Sequence, residues 1–286
     1  MLVLANDGLV RILFASSPFQ VLDAGCQLGH PVTGRIKAGL VIEPAPWIED
    51  RWPTEPARVN SIVLVLHGGQ ARSPITVRRR PQLSYLRMVP FARFLRRRGS
   101  GRGLSVRILR YRYRGWDDPE LHPVQDARWA LEQLRAQYRD VPVALLGHSM
   151  GGRAALRVAD HPAVSAVCAL APWTTDDEPV HQLAGRSVLV AHGDREHMTD
   201  PRLSYRFAVR AKQVTPRVCR FDVLGDGHAM LRRAHDWMEL AARFVEAELG
   251  LGEPDPLIED AMRQPAPQGL RVPLPSMTRL SGRGAP

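Results

Sequence analysis

Residues 143–152 read Val-Ala-Leu-Leu-Gly-His-Ser-Met-Gly-Gly. The apolar run Val143 to Leu146 has the length and composition of a buried strand. It enters Gly147-His148-Ser149-Met150-Gly151, and the helix-forming stretch Arg153-Ala154-Ala155-Leu156-Arg157-Val158-Ala159 follows at once. A G-x-S-x-G between a strand and a helix holds its serine on a tight, strained turn where an imidazole can reach the hydroxyl. The flanking glycines leave room for that backbone, because a Cβ there would collide with the neighbouring strand or helix. Ser149 is therefore the candidate nucleophile.

A nucleophilic serine needs a base, and the base needs a carboxylate to orient it. Two loops downstream carry these groups. The apolar run Ser187 to Ala191 ends in His192-Gly193-Asp194-Arg195-Glu196, and Val218 to Leu224 ends in Gly225-Asp226-Gly227-His228. Upstream, Ser61 to Leu66 ends in His67-Gly68-Gly69-Gln70, a turn that can present backbone N–H groups to a developing oxyanion.

His67-Gly68-Gly69, Gly147 to Gly152, His192-Gly193-x-x-Glu196 and Gly227-His228 together resemble the α/β-hydrolase superfamily, within its group of small bacterial hydrolases. The resemblance spans about residues 59 to 250. It implies an α/β fold, with a mostly parallel central sheet and helices on both faces. It also implies a triad of Ser149, an acid and His228, with an oxyanion hole from the backbone N–H groups of Met150 and of Gly69 or Gln70. The family usually has aspartate four residues after the His-Gly histidine, where this chain has Glu196. Asp194, a shorter carboxylate on the same loop, is the rival acid, and Asp176 is a further candidate. Ser149 argues against the dehalogenases and epoxide hydrolases of this fold, whose nucleophile is an aspartate. His148, His67 and His192 read as structural, and His197 and His235 lie off the expected position of the base.

The activity so implied is hydrolysis of a carboxylester, then of a thioester or small amide, through an acyl-enzyme and without a metal or organic cofactor. An acyltransferase, or a non-catalytic scaffold for an anionic partner, would use the same fold. The substrate is expected to be a small molecule.

Strands are expected at about 61–66, 104–111, 142–147, 164–171, 187–191 and 217–224, and helices at about 82–97, 122–138, 150–160, 201–211 and 229–248. Pro90 should kink or split the first helix. Alternating strand and helix place a site at the carboxyl ends of a parallel sheet. Only about sixteen residues, Ala171 to Arg186, are left for a lid, too few for a helical cap domain. Trp173 on that loop either lines the acyl pocket or closes the edge of the core.

Residues 1–58 form a separate segment. Leu9 to Ala15 and Ile36 to Ile42 can supply first strands of the sheet, while Pro44 to Pro56 reads as loop. Residues 251–286 hold seven prolines and no amphipathic period, so a mostly disordered tail is expected.

The chain of 286 residues can bury a full core, and it has no apolar run of the roughly 18 residues that a membrane span needs. Cys26, Cys168 and Cys219 are scattered without metal-like spacing, and no basic-then-apolar start marks a secretion signal, so a cytoplasmic protein is expected. The formal net charge is +10, and Arg72 to Arg114 contain fourteen arginines and no Asp or Glu. Arg72, Arg78, Arg79 and Arg80 follow the first core strand, and Arg110, Arg112 and Arg114 end the next. If they reach the site mouth they suit an anionic substrate; otherwise they are paired or solvated. Charge without a reading motif does not indicate nucleic acid.

Overall fold

The computed structural model describes residues 2–6, 9–13, 44–51, 55, 58–77 and 82–277. The chain divides into two units, Met1–Ile42 and Glu43–Pro286. In the first, β1 (Leu2–Asn6) and β2 (Leu9–Leu13) pair antiparallel, Leu2 opposite Leu13 and Asn6 opposite Leu9. The expected strand at Leu9 therefore belongs to a two-stranded sheet of its own and not to the central sheet. The expected strand at Ile36 to Ile42 lies outside the described residues.

The second unit is built on an eight-stranded sheet. Its elements in chain order are β3 (Trp47–Glu49), β4 (Ser61–Leu66), α1 (Leu83–Arg98), β5 (Leu104–Arg110), α2 (His122–Gln137), β6 (Val143–His148) and α3 (Met150–Arg157). There follow β7 (Val164–Leu170), β8 (Ser187–Gly193), α4 (Pro201–Val214), β9 (Val218–Val223), α5 (Ala234–Glu248), α6 (Pro256–Arg263) and β10 (Val272–Pro273). The strand order is β10-β9-β8-β7-β6-β4-β5-β3, all parallel except β3, which runs antiparallel to β5.

Strands β4 to β9 are buried on both faces almost throughout, so β4, β6, β7 and β8 read as largely apolar runs, and their alternation appears only in what each residue touches. In β4, Val63 and Val65 join the core that holds Tyr85, Met88 and Phe91 of α1 with Trp237 and Phe244 of α5. Ile62, Leu64 and Leu66 join the opposite core with Leu131 of α2 and Leu156 of α3. Two apolar layers thus sandwich the sheet and hold its strand ends in register.

Three expectations change. Of the kink or split expected at Pro90, the split does not occur, since α1 is continuous over Leu83–Arg98. Pro90 and Leu86 share the exposed side, so the Leu86 carbonyl that loses its amide partner faces water. Residues 47–49, read as loop, form the antiparallel edge strand β3. The proline-rich end is folded as far as Met277. Asp255 caps α6 by accepting the Leu257 and Ile258 N–H groups, Pro256 occupies the first helical turn, and Ile258, Ala261 and Met262 are buried. The chain then closes the sheet edge as β10, with Val272 opposite Phe221.

The Ala171 to Arg186 connection contains only a short 3-10 turn at His181–Leu183, so this connection supplies no helical cap domain.

Candidate active site

Ser149 stands between β6 and α3 with φ 56° and ψ −121°. A non-glycine residue at positive φ is strained and persists only where its surroundings fix it. Three backbone bonds do so: Ser149 N–H donates to the Leu170 carbonyl at 3.0 Å, and its own carbonyl accepts from Arg153 N–H at 3.1 Å and Trp173 N–H at 3.2 Å. The glycines act sterically. A Cβ on Gly147 would collide with the Gly151 carbonyl, and one on Gly151 with the carbonyls of Leu66 and His67. A Cβ on Gly68 would sit 3.3 Å from the Ser149 Cβ, which places the β4 loop directly against the nucleophile turn.

The loops that carry Glu196 and His228 meet at the ends of β8 and β9. Nδ1 of His228 donates to Oε2 of Glu196 at 2.8 Å. The other oxygen, Oε1, accepts three backbone N–H groups, from His197 (2.8 Å), Met198 (2.6 Å) and Thr199 (3.2 Å). Burial pushes the Glu196 carboxyl up, but the His228 bond and the backbone donors outweigh it and hold it down at about 2. Behind it, His192 contacts Ser204 Oγ through Nδ1 at 2.9 Å and Thr199 Oγ1 through Nε2 at 3.2 Å. Burial and the nearby Arg220 keep that ring neutral, at about 3.

Asp194 turns away from the histidine. It is exposed, and its Oδ1 accepts Gly225 N–H at 2.6 Å, which ties the two loops together. Asp176 is exposed and paired with Arg206 at 2.6 Å. Of the three carboxylates weighed, the structure brings only Glu196 to His228. The residue not singled out is Asp226. Buried next to the loop glycine, it accepts from Gly227 N–H, Arg233 N–H and Trp237 Nε1 and so fixes the turn that presents His228. Its position between two glycines was the available signal.

His148 links the halves. Its Nε2 donates to the His228 carbonyl at 2.9 Å, and its ring lies 4.7 Å from the His228 ring. Burial and the neighbouring His228 lower it to about 3. No hydrogen bond joins the Ser149 hydroxyl to His228 among the described residues; such bonds are often long before substrate binds. His67 is a buried brace packed edge-on to Tyr85 and Tyr111.

Met150 opens α3, so its N–H has no acceptor within the helix. Gln70 differs from expectation: its N–H donates to the Arg114 carbonyl at 2.8 Å and is already committed. Gly69 lies against the Met150 side chain and the Arg114 carbonyl, where any Cβ would clash.

Trp173 is half-buried and stacks on Arg153, whose guanidinium carbon is 4.8 Å from its ring and 4.2 Å from that of Trp116. Arg153 in turn pairs with the fully buried Glu178 at 2.5 Å. Trp173 thus packs against the Ser149 turn, to which its N–H is also bonded. Of the arginines expected at the mouth, Arg110 is buried over the Tyr85 ring at 3.9 Å and Arg112 pairs with Asp126 at 2.5 Å. Arg72 is exposed, Arg114 is half-buried, and Arg78, Arg79 and Arg80 lie outside the described residues.

A family model described as the alpha/beta hydrolase family matches residues 62–284. The chain belongs to the α/β-hydrolase family. Among solved structures of this fold, a thermophilic esterase from Thermogutta terrifontis, propionate-bound, is 19% identical with a TM-score of 0.55, over 73% of this chain and 91% of that one. The same organism's esterase 2 phosphonylated by sarin is 18% identical (TM-score 0.56), again over 73% and 91%. A putative α/β-hydrolase of unknown function from Agrobacterium tumefaciens is 16% identical (TM-score 0.54), over 74% and 93%. No curated protein sequence matches the chain. Within the α/β-hydrolase frame, the sharp turn after β6 and the loops after β8 and β9 carry the candidate residues.

Proposed function

We propose that this α/β-hydrolase cleaves carboxylester bonds by serine catalysis. Ser149 Oγ attacks the carbonyl carbon while Nε2 of His228 takes its proton. Glu196 holds the imidazole in the required tautomer and stabilises the imidazolium. The N–H groups of Met150 and Gly69 receive the oxyanion. Collapse of the tetrahedral intermediate expels the alcohol, which leaves with the proton from His228. Water, deprotonated by the same nitrogen, then attacks the acyl-Ser149 carbonyl and releases the carboxylic acid. Thioesters follow the same steps with a thiol leaving group.

One observation carries the reading: a buried carboxylate, saturated by backbone donors on one oxygen, bonded through the other to Nδ1 of His228. That arrangement leaves Nε2 as the basic nitrogen, on the strand-end face that also carries Ser149. A panel of p-nitrophenyl esters tests it. Wild type should hydrolyse short-chain members, and Ser149→Ala should lower kcat by about 10⁴-fold with the fold retained. Wild-type rates no faster than those of Ser149→Ala would overturn it.

A further inference from the structure

Seven large apolar side chains among the described residues are exposed, and six of them follow the carboxyl ends of β4, β8 and β9. They are Ile75, Leu83, Leu86, Met198, Leu224 and Leu231, with Leu83 86% and Met198 76% exposed. Exposed apolar side chains scattered singly are ordinary, but this set gathers on the segments that carry the active site. The start of α1 abuts the nucleophile, since the space above Gly68 is bounded by both Ser84 and Ser149. On the other side, Leu231, Arg195, Arg232 and His228 line one shallow cavity of about 330 Å³.

The same three segments have a one-sided charge pattern. Arg72 accompanies Ile75, Arg87 accompanies Leu83 and Leu86, Arg195 precedes Met198, and Arg232 adjoins Leu231. Arg72, Arg195 and Arg232 are exposed and Arg87 is half-buried, and none has an ion-pair partner among the described residues. The carboxylates there are engaged: Asp194 with Gly225 N–H, Asp200 with Arg202, Glu196 with His228, and Asp226 in the loop core. Of the exposed carboxylates without an arginine partner on this face, Asp118, Glu120 and Asp177 follow β5 and β7, and on these three segments Asp194 alone faces the four arginines.

Apolar side chains standing free beside uncompensated arginines match a surface with anionic headgroups over hydrocarbon. An acidic protein partner would reward the arginines but leave Leu83 and Met198 in contact with polar groups. We propose that the catalytic face docks on an anionic lipid surface, so that the ester cleaved is one presented in that surface. The docking stands on this surface alone; the identity of the ester rests on the serine-hydrolase reading above.

Vesicle co-sedimentation of the full chain separates the two. Ser149→Ala, which removes the chemistry, should bind phosphatidylglycerol–phosphatidylcholine vesicles as well as wild type does. Binding to pure phosphatidylcholine vesicles should be at least about tenfold weaker, and salt at about 1 M, where screening acts within about 3 Å, should weaken anionic binding likewise. The pair Leu83→Ser with Leu224→Ser, and separately Arg72→Gln with Arg195→Gln and Arg232→Gln, should each lower binding about tenfold. Both variants should keep the wild-type rate on p-nitrophenyl acetate. Failure of the full chain to bind anionic vesicles, equal binding to neutral ones, or binding that survives both variants would overturn the docking proposal. So would concentration-dependent dimerisation abolished by Leu83→Ser with Leu224→Ser, which would make a second copy the occupant. Vesicle binding by a protein inactive on every ester would keep the docking and remove the serine-hydrolase reading.

Discussion

The two halves of the site are built by different physics. On the acid–histidine side, the loops after β8 and β9 satisfy their polar groups: Glu196 takes three backbone donors and His228, Asp226 takes three donors, and Asp194 bridges to Gly225. No buried side-chain atom on the 194–200 and 224–233 loops lacks a partner among the described residues. On the nucleophile side, His67 Nε2, Ser73 Oγ, Arg114 Nε, His148 Nδ1 and Thr174 Oγ1 are all buried without one. That half is shaped by close backbone approach at Gly147 and Gly151 and by a strained Ser149. Unpaired buried polar atoms are costly, so they concentrate where structure is held by other means. His228 is positioned by hydrogen bonds, and Ser149 is positioned by sterics.

The largest expected effect breaks the hydrogen-bonded half. Glu196→Gln keeps the shape but cannot stabilise an imidazolium, and kcat should fall by about 10³- to 10⁴-fold. Asp194→Asn, which disturbs only the loop tie, should cost less than about tenfold. Steady-state kinetics with one p-nitrophenyl ester would show this, and the reverse ranking would move the acid to Asp194.

Next comes the steric half. Gly151→Ala drives a Cβ into the Leu66 and His67 carbonyls, so β4 and α3 must separate. About 3 kcal/mol of destabilisation is expected, at the upper end for overpacking, because both neighbours are backbone. Urea denaturation measures it; a loss below about 0.5 kcal/mol would show that the turn has slack the structure does not reveal.

Both steps test features already visible in the sequence, for a physical reason. Strands buried on both faces, glycines at fixed offsets and loops at strand ends are local, so β4 to β9 and the pairing of Glu196 with His228 could be read from the chain. What escaped depends on distant partners. Arg110 and Arg112 stand at the expected strand end, yet Tyr85 and Asp126 consume them. The Gln70 N–H is lost to Arg114 through a contact between two loops. Strand β3 has three residues, too few to show a period. Helix α6 was legible in Asp255-Pro256 followed by Ile258, Ala261 and Met262, but the proline count outweighed it.

A smaller effect concerns pH. Burial lowers His67 to about 4 and His148 to about 3 on the nucleophile side, from an ordinary value of 6.5. Protons then bind the unfolded chain first, so stability falls as pH drops below about 6.5. Glu196 works in the other window: held down from 4.5 to about 2, its contribution persists until pH falls below about 4.5. His192 behind Glu196, lowered to about 3, adds to the same loss, so Tm should decline by about 5 °C or more between pH 7 and 5, before Glu196 itself is protonated. A flat Tm over that range in circular dichroism would contradict the buried, neutral histidines.

The smallest effect compares two threonines. Thr174→Val removes a buried hydroxyl that has no partner and should be neutral or slightly stabilising. Thr199→Val removes the partner of His192 and should cost about 1 kcal/mol. Equal costs would erase the distinction between the two halves.

The account rests on Ser149 being activated by this preformed base. A fluorophosphonate probe, followed by intact mass and peptide mapping, tests that directly. One adduct per chain on the Ser149 peptide is expected, absent in Ser149→Ala and formed at least about 10²-fold more slowly in Glu196→Gln. No adduct, an adduct on another residue, or equal rates in wild type and Glu196→Gln would contradict it.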